Sequence, residues 1–147
     1  MPLLIRPMLA EDAVDASALM PDLGYEVTPT DLAERLTRLS EWPDQQAFVM
    51  LWHGRIVGLS QVQGVRLLAS AGYAEVQALV VSKDHRGHGL GAALLRHTMA
   101  WAFARGYPRV RLRSGIHREE AHRFYRAQGF SQARASYAFE RLAADEG

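Results

Sequence analysis

Residues 78–92 read "ALVVSKDHRGHGLGA". The first four are apolar without alternation, as in a strand covered on both faces. The last six place glycines at 87, 89 and 91, at the point where a helix should begin. Glycine costs backbone entropy there and weakens a helix start. One glycine suffices to turn a chain, so three in five residues call for a bare backbone. Three readings compete: a tight turn with tolerated glycines, a dinucleotide fingerprint, and a cradle for a pyrophosphate. Gly87, Gly89 and Ala92 formally fit G-x-G-x-x-G/A. Ser82 to Arg86 separate them from the strand, however, and the next strand ends in Arg113 and Ser114 rather than an acidic residue. Too little chain follows Gly91 for a doubly wound domain. Bare N–H groups at a helix N-terminus, with Arg86 at the rim, suit the cradle.

Working outward, the elements alternate. "LLIRPM" reads as a first strand, and "EDAVDASALM" as a helix stopped by Pro21. After the loop "PDLGYEVTP", Thr30 is the expected N-cap of a second helix with Leu32, Leu36 and Leu39 on one face. "AFVMLWHGRIVGLSQVQG" reads as two strands joined at His53-Gly54, and "YAEVQALVV" as a third. A helix is expected over Gly91 to Arg105, a strand over "RVRLR", a helix over "REEAHRFYRAQ", and a closing strand over "ARASYAFERL", with the closing region open to being split in two. The order β-α-α-β-β-β-α-β-α-β predicts an α/β fold: a central mixed sheet with helices on both faces, in one domain over residues 1–147.

Composition narrows the function. A chain of 147 residues with 48% hydrophobic and 22% charged residues is an ordinary globular domain. A net charge of +1 gives no general attraction to nucleic acid or anionic lipid. The absence of cysteine removes disulfides, thiolate metal sites and a cysteine nucleophile. The N-terminus lacks the pattern of a signal peptide, and no apolar run reaches the roughly 20 residues of a membrane span. A cytoplasmic protein that binds neither membrane nor nucleic acid is expected. The six histidines form no H-E-x-x-H or His/Cys set, so no metal site is expected.

The spacing Arg86-x-x-Gly89-x-Gly91 resembles the acetyl-coenzyme A motif, Q/R-x-x-G-x-G/A, of the GCN5-related N-acetyltransferase (GNAT) family. "IRPMLAEDA" is similar to that family's opening strand and helix. Ala121, Phe124, Tyr125, Gly129 and Phe130 match its second signature, A-x-x-F-Y-x-x-x-G-F.

The resemblance implies acetyl-CoA as co-substrate and acetyl transfer to a primary amine of a small molecule or peptide. A homodimer is admitted as its assembly. The pantetheine arm would bond the backbone of Leu79 and Val81, with a backbone amide near Val80 on the thioester carbonyl. The pyrophosphate would rest on the amides of Arg86, Gly87, His88, Gly89, Leu90, Gly91 and Ala92. Glu75 is the implied general base, acting through a water, and Tyr125 the acid for the leaving thiolate. A lysine-like amine must lose a proton first, at roughly 4–5 kcal/mol near neutral pH. Ser114 and Arg118 are further cofactor contacts, although Arg118 stands where many members carry asparagine. Tyr25, Glu26, Tyr73 and Gln77 are the expected acceptor-side residues. The rival reading is a non-catalytic acyl-CoA sensor on the same fold.

Overall fold

The computed structural model describes residues 2–114 and 118–144, which fall into two compact units, Met1–Arg113 and Ser114–Gly147. In the first unit, five strands lie in sequential order: β1 (Leu3–Pro7), β2 (Gln45–Trp52), β3 (Arg55–Val65), β4 (Tyr73–Val81) and β5 (Val110–Leu112). The first four are antiparallel, and β5 runs parallel to β4. The expected mixed sheet is present.

One sheet face packs against the N-terminal helices. These are α1 (Ala13–Ala16), flanked by 3-10 turns over Ala10–Asp12 and Ser17–Leu23, and α2 (Pro29–Leu39). Met8, Ala13, Ala16, Leu19 and Met20 meet Ala47, Val49, Leu59 and Val80 of the sheet in a buried cluster. Asp12 is buried here, paired with Arg6 at 2.7 and 2.9 Å, and accepts the Leu9 N–H at 2.7 Å. The Arg6 hydrogen bonds hold the Asp12 carboxyl below the usual carboxylate range.

The opposite face carries α3 (Leu90–Ala104). Its own Leu94, Leu95 and Thr98 are fully buried. The Thr98 hydroxyl donates to Leu94 O at 2.8 Å, so its contact with Ser60 Oγ, also 2.8 Å, has Ser60 as donor.

At one end of the sheet, Asp44 binds Arg66 at 2.7 Å, Arg105 at 3.1 Å and the Tyr107 hydroxyl. It thereby ties the entry to β2 to the β3–β4 connection and to the end of α3. These bonds, led by Tyr107, lower the Asp44 carboxyl. Gly64 makes the clasp possible, since a Cβ there would fall on the Tyr107 hydroxyl.

Several boundaries differ from expectation. The first helix is mostly 3-10 and runs through Pro21 to Gly24, whose φ of 90° ends it. The second helix is capped by Thr28, not Thr30: Thr28 Oγ1 accepts the Asp31 N–H at 3.1 Å, and Pro29 takes the first helical position. Proline is suited to that position because its missing N–H would have been an orphan anyway. The β5 strand is three residues long. In the second unit, α4 (Glu119–Ala127) forms as expected. The expected closing strand over residues 133–142 is absent among the described residues, with Tyr137 and Phe139 almost wholly exposed. Alternation supplies propensity, but a strand exists only where a ladder is formed.

The buried Ser60–Thr98 pair gives a direct test. Thr98→Val should destabilise the protein by about 1–3 kcal/mol, because it leaves a buried Ser60 hydroxyl without its acceptor. Adding Ser60→Ala should recover most of that loss in denaturant melts.

Candidate functional site

The site begins with a register fault. Opposite β3, Gln61 pairs with Ala78 and Val62 with Val76, which leaves Gln77 as an extra residue on β4. A bulge of this kind bends its strand. On the other side, β5 pairs only with Ala74, Glu75 and Val76. Beyond Val76, β4 therefore has no strand neighbour on its β5 side among the described residues. Leu79, Val80 and Val81 lie in this one-sided stretch, and an open strand edge of this kind suits an extended ligand added in the manner of a strand, although Arg86 already bonds the Val81 carbonyl.

The strand leads into the glycine loop. Ser82 N–H bonds Val57 O at 2.7 Å, a 3-10 turn covers Lys83–His85, and Arg86 Nε donates to Val81 O at 3.3 Å. Gly87 and Gly89 have φ of 88° and 74°. A Cβ on either would meet nothing within 4 Å, so the left-handed backbone is what requires glycine at both. Gly89 caps α3 without any side-chain bond. The first N–H groups of the helix, at Leu90, Gly91 and Ala92, thus have no intrahelical acceptor. The His88 ring lies against Trp52, at 5.9 Å between centroids. Together these residues form a concave run of amides at a helix N-terminus, suited to a diphosphate.

Glu75 lies one strand spacing from β5, with its side chain 16% exposed. One oxygen accepts from Gln77 Nε2 at 2.9 Å, and the other faces Arg113 Nε at 3.8 Å. Tyr73, two residues earlier on the same face, is covered by the Arg111 guanidinium at 4.4 Å. Arg111 of β5 and the following Arg113 are thus engaged by Tyr73 and Glu75. Tyr25 and Glu26 are exposed in the loop before α2. None of their described contacts reaches the Glu75 row.

In the second unit, Tyr125 lies on α4, edge-on to Phe124 at 5.4 Å and Phe130 at 6.0 Å. Burial pushes its phenol up from the usual tyrosine value, and the charge of Arg118 acts in the opposite direction. The phenol therefore keeps its proton at neutral pH and is available as a donor. Arg118 sits at the N-cap of α4 without a capping bond, and Ser114 Oγ is buried with no partner among the described residues. Residues 115–117, including His117, lie outside the described residues. Among the described residues no three histidine or carboxylate side chains converge on a metal position, and no helix is long and apolar enough to cross a membrane.

The cross-strand row Gln45–Gln63–Glu75–Arg111 was not singled out from the sequence. Its signal was present: Gln61 and Gln63 alternate with Val62 in a strand that is mostly apolar.

A family model, "Acetyltransferase (GNAT) family", matches residues 16–130. No curated protein matches the sequence. Among solved structures, a putative acetyltransferase from Agrobacterium tumefaciens is 24% identical, with TM-score 0.84 over 94% of this chain and 99% of that one. An aminoglycoside acetyltransferase from an uncultured soil metagenomic sample, in complex with sisomicin, is 18% identical at TM-score 0.80, covering 96% and 97%. AAC(6')-Iy in complex with a bisubstrate analogue, CoA-S-monomethyl-acetylneamine, is 14% identical at TM-score 0.81, covering 96% and 99%.

The raised phenol can be read directly. In a spectrophotometric titration, Tyr125→Phe should remove a phenol that ionises above the ordinary value of about 10. Loss of an ordinary or early-titrating phenol instead would contradict the burial of Tyr125.

Proposed function

The chain belongs to the GNAT acetyltransferase family, and from that membership we propose that it transfers the acetyl group of acetyl-CoA to a primary amine. The acceptor is carried by a small molecule or a protein, and the amine attacks the thioester directly. The observation that carries this reading is the one-sided stretch of β4 running into the amides that open α3. An extended arm and a diphosphate need those two features in that order.

In this reading the pantetheine arm lies along Leu79 to Val81, and the Val80 amide polarises the thioester carbonyl. The amides from Arg86 to Ala92 hold the pyrophosphate, with Ser114 and Arg118 as additional polar contacts to the cofactor. Glu75 takes the proton of the incoming ammonium through a water. The nitrogen lone pair then forms the new C–N bond, and the C–S bond breaks as the tetrahedral intermediate collapses. Tyr125 donates its proton to the departing sulfur, and the second proton shed by the nitrogen as the amide forms restores the phenol. Gln77, bonded to Glu75, fixes that carboxylate and faces the acceptor. Tyr73 borders the same face, and Tyr25 and Glu26 form the outer acceptor wall.

One observation favours the second reading, a sensor that binds acyl-CoA without turnover. Both Glu75 oxygens are already engaged, by Gln77 and Arg113. Each carboxylate oxygen keeps a second lone pair, however, so the ion pair orients the base without blocking it.

A thiol-release assay with acetyl-CoA and a panel of amines separates the two. Turnover is expected, and Glu75→Gln should lower kcat about 100-fold while calorimetry shows unchanged coenzyme A affinity. Gly89→Ala should weaken coenzyme A binding about 10-fold or more, because alanine at a left-handed φ costs about 1–2 kcal/mol. Tight cofactor binding with no acetylation of any amine would establish the sensor.

A further inference from the structure

Glu75 belongs to a row of polar side chains on a sheet face whose other end is core. Gln45 of β2 pairs with Gln63 of β3, and Gln63 pairs with Glu75 of β4, so the three share a face. Toward α1, the same face is filled by Ala47, Val49, Leu59 and Val80. Gln61, opposite Ala47 and Ala78, adds a third glutamine to the two of this row, so this end of the face departs from a core pattern. Beside them lies a cavity of about 310 Å³, lined by Leu39, Trp42, Asp44, Gln45 and Gln63. Its size is at the lower end for small-molecule pockets. The Gln45 side-chain oxygen is buried with no hydrogen-bond partner among the described residues. Leaving such a group unpaired is costly, which marks the site as one that gains from a donor.

The charge around the cavity decides what kind of donor fits. Its one carboxylate, Asp44, is already matched by Arg66, Arg105 and the Tyr107 hydroxyl. Held by two guanidiniums and a hydroxyl, that carboxylate offers no free counter-charge to the cavity. The Trp42 indole is 68% exposed, and an exposed ring attracts a cation only weakly. A second ammonium would be disfavoured there, whereas a hydroxyl or amide would pair with the carboxamides. Two strand spacings, about 10 Å in all, separate Gln45 from Glu75.

We propose that the acceptor is a monoamine bearing an uncharged hydrogen-bonding group about 10 Å from its amine, and that Gln45 and Gln63 select it. This rests on the reading of Glu75 as the member of the row that receives the amine. It separates the chain from enzymes whose acceptors carry several ammonium groups.

The probes are aminoheptanol, diaminoheptane and heptylamine, which share one chain and differ only in the distal group. Aminoheptanol should show a kcat/KM about 10-fold above either of the others, the worth of one net hydrogen bond. Gln45→Leu and Gln63→Leu should each raise its KM about 10-fold. They should leave kcat, the KM for acetyl-CoA and turnover of heptylamine unchanged. Gln63→Glu, which preserves size and polarity, should turn the preference toward diaminoheptane. A merely structural glutamine would not produce that reversal. Equal or better use of the diamine by the parent protein overturns the proposal, as does a preference that survives in the Gln45→Leu/Gln63→Leu pair. The same amines are also titrated by calorimetry into the coenzyme A complex. Retained preference without turnover would sink the transferase reading alone. Turnover without preference would sink the proposed selection alone.

Discussion

Everything at the candidate site depends on one asymmetry of hydrogen bonding. β4 is laddered to β3 from Tyr73 to Val81, but to β5 only from Ala74 to Val76. The extra residue at Gln77 bends the strand at the point where β5 stops pairing. A parallel partner continuing to Val81 would consume the backbone groups that an extended ligand needs. The cost of leaving them to solvent is met by the full antiparallel ladder on the other side and by the core beneath Val80.

The two ends of β4 then take different chemical parts. Its C-terminal end delivers the chain into a helix start stripped of side chains, where the amides and helix dipole favour negative charge. Its N-terminal end carries Glu75 and Tyr73, with Arg111 of β5 beside them and Gln45 and Gln63 in the same row. The Asp44 clasp joins three separate segments through a single ionised carboxylate.

Much of this was legible in the residues. The apolar run of residues 78–81 followed by Gly87, Gly89 and Gly91 identified a strand leading through a glycine turn into a helix, because apolar patterning and backbone freedom are written locally. The two spaced motifs identified the family. Expectation failed where the deciding interaction is not local. Thr28 displaced Thr30 as the cap because the helix takes in Pro29 at its first position. The alternating residues 133–142 carry no strand because alternation alone does not provide a ladder.

The sequence by itself determined the order of the elements as far as α4 and the cofactor-type motif. Those follow from period, glycine placement and residue chemistry within a few positions of each other. Only the tertiary structure decided that Gln45, Gln63 and Glu75 form one row, that Arg113 faces Glu75, and that Asp44 is already neutralised. Register between strands is set by packing and by a bulge. A one-residue shift turns every side chain to the other face, so no local reading of the chain contains it.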